Sequence, residues 1–259
     1  MDKKMILDRM ARSGEERLLL ARVLDKMEQA ERRNVPAHTA FLSPQEQSAV
    51  QEVLKLAGGR GVFSGGYEGA ERKVLACLPD WMEQYGGDDL RFLRCSFRKE
   101  DKLTHRDFLG SLMGMGVARE TVGDILVEEG SCDLVVLDTV ADFLIQSWAS
   151  AGRTALRVRE IAAAELIVPQ VKVQEIRDTV MTLRLDAVAA SGFSMSRGKA
   201  AELIASGRVQ LNWQECTKGD RTVKAGDVIT ARGFGKFEIA EVGGMSRKGR
   251  TAILLRRYV

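Results

Sequence analysis

The stretch from Arg184 to Trp213, RLDAVAASGFSMSRGKAAELIASGRVQLNW, constrains the fold of this 259-residue chain more than any other segment. Thr182–Ala190 reads as a short helix closed by Gly192. Ser194 and Ser196 then offer side-chain oxygens to the free amides of a second helix, Arg197–Ser206, which Gly207 stops. On that second helix Ala200, Leu203 and Ile204 form an apolar stripe. Lys199, Glu202 and Ser206 lie opposite, with Arg197 at the edge of the first turn. Strands are expected at Arg208–Asn212, Asp227–Arg232, Phe237–Val242 and Thr251–Arg256. Turns fall at Gly219-Asp220 and Ala225-Gly226-Asp227. Two short helices bearing cations, followed by a small twisted sheet, leave few folds open.

Charge points the same way. The chain carries 39 Lys and Arg against 36 Asp and Glu, a net +3. From Thr182 onward the count is 14 against 7, so the last third holds +7 and the first 181 residues −4. Clustered cations of this kind are the usual footprint of a nucleic-acid partner. With 45% hydrophobic and 29% charged residues, the composition is that of a folded globular protein. No apolar run approaches the roughly 18 residues that a membrane helix needs, and charges interrupt MDKKMILDRM where a signal peptide would be apolar. A cytoplasmic protein is expected, with Cys77, Cys95, Cys132 and Cys216 as isolated, reduced thiols. With two histidines, neither beside a cysteine, no zinc site is expected.

Ahead of the basic region, residues 1–60 read as a helical lead-in. Ser43-Pro44-Gln45-Glu46 is a helix start with a capping box, and Gly58-Gly59 ends that helix. Residues 61–168 read as a second domain. From Leu90 the expected order is strand, helix from Thr104, strand 124–127, strand 133–137, helix from Asp138 and strand 155–161. This β-α-β-β-α-β order belongs to ferredoxin-like folds and to a common RNA-recognition module. That module stacks bases on aromatics of its two central strands. Phe92 and Phe97 lie on the first, but the partner strand CDLVVL has none, so a structural or docking role is expected. Residues 169–181 read as a linker to the C-terminal domain, 182–259.

The spacing RLD…SR-x-K-A…LI-x-x-G-x-V-x-N…GD-x-I resembles the S4 RNA-binding domain over about 55 residues. That likeness implies phosphate contacts along the second helix and the adjoining loop and strand, at Arg184, Ser196, Arg197, Lys199, Arg208 and Asn212. Arg232, Lys236, Arg247, Lys248 and Arg250 extend the surface. Each of these also has an ordinary reading as a solvated surface residue, and Arg184 can pair with Asp186 on its own helix. GGYEGAERKV, HRDFLGSLMGMGVARETVGDI and RGFGKFEI…KGR extend the likeness to nearly the full length, and the chain resembles the three-part, YlmH-type S4 proteins of bacteria. Membership would imply an α+β protein: helical N-terminus, RRM-like centre, C-terminal S4 domain. It would also imply binding to ribosomal RNA and transfer RNA on the 50S subunit and a part in rescuing stalled ribosomes.

Other chemistries have weaker support. His105-Arg106-Asp107 is similar to a kinase catalytic loop, but Leu112 stands where a metal-holding asparagine is required. A pseudouridine synthase also carries an aspartate after Arg-Leu, yet Arg184-Leu185-Asp186 lies inside the S4 pattern, and no second such motif exists in a domain able to enclose a flipped base. A module whose basic face meets an acidic protein remains an alternative. No phosphate-binding glycine loop, paired histidines or clustered carboxylates point to a cofactor or metal. The expectation is therefore a monomeric, non-catalytic RNA-binding protein without cofactor, membrane or small-molecule substrate.

Overall fold

The computed structural model describes residues 2–170, 172–246 and 249–258. The chain divides into two compact units, Met1–Pro169 and Gln170–Val259.

The first unit opens with α1 (Lys3–Met10), α2 (Gly14–Arg33), β1 (Ala37–His38), α3 (Pro44–Ala57), β2 (Gly61–Ser64) and β3 (Val74–Cys77). Ser43 and Glu46 form the expected capping box at the head of α3, with Pro44 in the first turn. The three strands pair antiparallel in the order β1-β3-β2. Leu75 and Cys77 of β3 share one core with Leu20, Val23, Val50 and Val53 of the helices. Residues 61–77 thus complete the N-terminal region. The boundary expected at residue 60 falls inside it, because alternate residues of β3 supply the floor on which α2 and α3 pack.

Next come β4 (Leu90–Ser96), α4 (His105–Gly114), β5 (Val122–Glu128), β6 (Ser131–Leu137), α5 (Asp138–Ser147), a small hairpin of β7 (Ser150–Ala151) and β8 (Thr154–Ala155), and β9 (Arg157–Ile161). The sheet order β5-β6-β4-β9 is that of the ferredoxin-like split unit. Asp107 in the His-Arg-Asp triplet caps α4, its carboxylate accepting from the backbone N–H and hydroxyl of Thr104.

One face of this sheet, through Leu93, Cys95, Cys132, Leu134 and Val136, packs on Phe108 and Leu112 of α4 and Ala141 and Leu144 of α5. The opposite face is the one on which RNA-recognition modules stack bases, and here it is covered. Leu90, Val135 and Leu137 are buried with Phe41 and Val74 of the N-terminal region, and Tyr67, Tyr85, Phe92 and Leu166 pack around them. Gly66, at φ 85°, lies so close that a Cβ there would sit 2.7 Å from the Phe92 ring. Directly across the two central strands, Arg94 and Asp133 form a fork-to-fork ion pair with two 2.7 Å hydrogen bonds. Asp133, only 2% exposed, also accepts the Ile167 N–H. Phe97 points to the other side and tilts onto Phe108.

The second unit comprises β10 (Val173–Val180), α6 (Leu185–Gly192), α7 (Arg197–Ala205), β11 (Val209–Leu211), β12 (Gln214–Glu215), β13 (Val228–Ala231), β14 (Gly235–Met245) and β15 (Thr251–Tyr258). They form one antiparallel sheet, β10-β15-β14-β13-β11-β12, with both helices on its core. The segment read as a linker is therefore an edge strand, paired in unbroken register from Val173–Tyr258 to Val180–Thr251. Its alternating pattern was a strand signal, whose partner lies some 75 residues away in sequence. Leu185, Val188, Ala200, Leu203 and Ile204 pack against Val209, Ile229, Phe237, Ile239 and Leu255. Gly192 is required where α6 meets the sheet: a Cβ there would lie 2.3 Å from the Phe237 ring.

Asp133→Ala leaves the Arg94 guanidinium without its carboxylate on a covered sheet face. A loss of about 3–5 kcal/mol is expected in chemical denaturation of the full chain, monitored by tryptophan fluorescence. A loss below about 1 kcal/mol would show that the pair does not hold this face.

Candidate nucleic-acid interface

Among the described residues, the cations singled out in the sequence lie around α6, α7 and the neighbouring strands. Ser196 caps α7, its hydroxyl accepting the Lys199 N–H at 3.3 Å. The helix thereby begins immediately before Arg197, with the partial positive charge of its first turn beside that side chain.

Asp186 organises the arginines. Its carboxylate accepts Arg184 Nε at 3.2 Å and Nη2 at 2.9 Å, and Arg197 Nη2 at 3.1 and 3.2 Å. Asp186 is 6% exposed, whereas the two guanidinium side chains are 40% and 56% exposed. Burial opposes ionisation of this carboxyl, and the hydrogen bonds from Arg184 and Arg197 outweigh it, so its pKa lies below the usual carboxylate range. Each guanidinium has five N–H donors, and one carboxylate cannot occupy them all. The trio therefore presents two oriented, partly exposed cations with a net charge of +1. Its burial and double ion pair also make Asp186 a poor match for a catalytic aspartate that must meet a flipped base.

Lys199 is placed differently. Its ammonium lies 5.3 Å from the centroid of Phe234, which packs on Phe193 at 6.2 Å. Arg208 and Arg232 are exposed and adjoin at the ends of β11 and β13, where the Arg232 N–H donates to the Arg208 carbonyl at 3.0 Å. Lys236, on β14, lies 4.7 Å over the Tyr258 ring. Arg250 braces β15 against β10, donating through Nε to the Thr179 hydroxyl at 2.9 Å and through Nη2 to the Thr179 carbonyl. A groove of about 680 Å³ runs along β10 and the helix junction, bounded by Thr179, Met181, Ser191, Ser196, Arg197 and Arg250 among others. Arg247 and Lys248 lie outside the described residues.

Asn212 is occupied in another way. Asn212 and Trp213, at φ 50° and 60°, form the two-residue turn between β11 and β12. The Asn212 amide donates to Asp227 at 2.9 Å and its side-chain oxygen accepts the Val228 N–H at 2.8 Å. The side chain expected among the phosphate contacts instead fixes the turn. An Asn followed by one residue between two short strand segments was the legible sign of that role. The sequence reading also missed Phe234 as the seat of Lys199 and the reach of Arg197 back to Asp186, since neither pairing has helical or strand spacing.

This fold, with its oriented cations on the two-helix face, defines an RNA-binding S4 protein, and the S4 domain family matches residues 183–229. Two further family descriptions match upstream: "YlmH, N-terminal" over residues 15–80 and "Putative RNA-binding domain in YlmH" over residues 95–165. The chain is 35% identical over 222 residues to the "Ribosome-associated protein quality control protein P2" of Bacillus subtilis (strain 168), covering 85% of this chain and 86% of that protein. It belongs to the YlmH family. A solved structure described as "Cell division protein ylmH from Streptococcus pneumoniae" shares the fold, with a TM-score of 0.52 and 22% identity, covering 61% of this chain and 97% of that one. No helix among the described residues is long and apolar enough to cross a membrane.

Asp186→Asn should loosen both arginines and cost about 2 kcal/mol of stability in the second unit. A carboxylate whose folded-state pKa is lowered stabilises the fold above its unfolded value, near pH 4, and loses that contribution as pH falls through the folded value. The stability-versus-pH curve of Asp186→Asn should therefore be flatter than wild type below about pH 4. Parallel curves would remove Asp186 from the list of acid-sensitive contacts.

Proposed function

We propose that the chain is a non-catalytic, monomeric cytoplasmic protein that binds structured ribosomal RNA and transfer RNA on the large ribosomal subunit, in quality control of stalled ribosomes. The observation that carries this reading is the array on the S4 helices: Arg184 and Arg197 aimed by one buried carboxylate, Lys199 seated on Phe234, and Arg208 beside Arg232. The name of the Bacillus relative supports the ribosomal setting.

The array captures phosphate by charge and selects it by spacing. Arg184 and Arg197 bind as forks whose planes are set before RNA arrives, which lowers the side-chain entropy lost on contact. Lys199, Arg208 and Arg232 add point charges, and Ser196 terminates a helix whose first amides favour an anion. Arg250 and Lys236 extend the basic surface, and Arg247 and Lys248 add two cations to the sequence between them. Asn212 contributes by holding the β11–β12 turn rather than by direct contact. The first unit, with its negative net charge, orients the basic unit on the larger particle.

If about five phosphates are neutralised, log K should fall against log salt with a slope of roughly −4. Co-sedimentation with 70S and 50S particles over a salt series tests this, with the wild type run beside an Arg197→Glu/Lys199→Glu/Arg208→Glu variant that folds by circular dichroism. Salt-sensitive binding to 50S that the variant loses is the expected result. Unchanged binding by the variant would move the contact to the first unit, and no binding by either would leave free RNA or an acidic protein as the partner.

A further inference from the structure

Two aromatic side chains stand well exposed among the described residues with no polar atom to account for it or with that atom already used: Trp81, 61% exposed, and Phe143, 46% exposed. Their settings are opposite. Phe143 lies on α5 in the company of Asp138 and Asp142, which with Glu160 surround Arg91. Three carboxylates around one guanidinium leave that surface negative and hostile to phosphate. Trp81 lies against Asn34, just past the Arg32-Arg33 end of α2, where the two arginines share the surface with Asp25 and Glu28.

The Trp81 ring is held at its nitrogen, and the backbone before it is braced. Its Nε1–H donates to the Asn34 carbonyl at 3.3 Å, immediately after the Arg32-Arg33 end of α2. The preceding peptide is fixed by Arg60, whose guanidinium donates to the Asp80 carbonyl and whose own carbonyl accepts the Leu78 N–H at 3.0 Å. Val35, next to Asn34, is also exposed and adds apolar surface. Arg32, Arg33 and Arg60 are all exposed, and Arg32 makes only a long, solvent-exposed contact with Glu28 at 3.5 Å. The indole thus has its polar group satisfied by backbone and its ring open to solvent, with Arg60 on the neighbouring Asp80 carbonyl and Arg32 and Arg33 just ahead of Asn34 in the chain.

We propose that Trp81, flanked by Arg32, Arg33 and Arg60, is a second RNA-binding site, a stacking platform for an unpaired base of single-stranded RNA. An aromatic ring accepts any base through its π-face, and neighbouring arginines hold the adjoining phosphates. Because the ring is anchored before binding, stacking costs little further ordering. The site stands apart from the S4 reading, since all its residues belong to the first unit. It also answers a physical question about that unit: the sheet face on which a module of this topology would stack bases is filled by Phe41, Val74 and the Arg94–Asp133 pair.

The test uses the full chain carrying Arg197→Glu and Lys199→Glu, which suppresses the S4 contribution, and a fluorescently labelled 12-nucleotide oligoadenylate as probe in anisotropy titrations. In this background Trp81→Ala is expected to weaken binding about tenfold, and Trp81→Phe, which keeps a ring, to stay within about threefold of its parent. Arg32→Glu/Arg33→Glu should also weaken binding and reduce its salt dependence. Unfolding curves that match the parent separate loss of the site from loss of the fold. Equal affinity for Trp81→Ala and its parent would overturn the proposal. So would a background that no longer binds the oligonucleotide. Neither result would touch the S4 reading, which the ribosome sedimentation tests separately.

Discussion

The ion pair between Arg94 and Asp133 settles what the first unit can be. Two side chains directly opposite each other on the central strands meet on a face that many proteins of this topology leave open. A buried carboxylate must be paired and hydrogen-bonded to remain charged, and Asp133 meets that demand with both guanidinium donors and the Ile167 amide. Once that pair is in place, Phe41, Val74, Tyr67 and Leu166 close over the rest of the face. The loop carrying Tyr67 is itself tied to β5, because Asp124 accepts the Tyr67 hydroxyl at 2.7 Å and the amides of Glu71 and Arg72. Burial and the Asp124 carboxylate both push the Tyr67 pKa upward, so the hydroxyl remains a donor.

The second unit uses the same device to a different end. In the first unit a carboxylate and a guanidinium seal a surface; in the second a buried carboxylate holds two guanidinium groups at the surface. Paired with one arginine, Asp186 would present little net charge. Paired with two, it presents a cation array whose geometry is fixed by the fold. Lys199 is set by an aromatic ring instead, and Arg250 by the hydroxyl and carbonyl of Thr179 on an edge strand. The basic residues thus differ in how firmly they are placed, and Arg208 and Arg232 are aligned mainly by the strands beneath them.

Much of this was legible in the chain because it depends on local chemistry. Ser43-Pro44-x-Glu46 starts α3 as read, Ser196 caps α7, and the strand–helix order from Leu90 follows from alternation and helical spacing. The His-Arg-Asp triplet is explained by Asp107 capping Thr104, a contact three residues apart. Sequence and structure differ where an element's partner is remote. Val173–Val180 reads as a linker in one dimension because its pairing strand is β15, 71 to 85 residues further on. Strands β2 and β3 were joined to the wrong neighbour because only packing shows that Leu75 faces α2 and α3. The S4 likeness puts Asn212 among the phosphate contacts, whereas a turn and Asp227 engage its side chain.

The sequence by itself determined the order of the elements, the segregation of positive charge into the last third and the S4 pattern that makes the C-terminal unit an RNA-binding domain. Propensity, capping and charge act over a few residues, so they can be read in one dimension. Only the tertiary structure decided which cations share a carboxylate, that the RRM-like sheet is closed to bases, and that Trp81 is exposed while Phe92 is packed against the covered sheet face. Those outcomes rest on burial and on hydrogen bonds between residues distant in sequence, and such contacts exist only after the chain has folded around them.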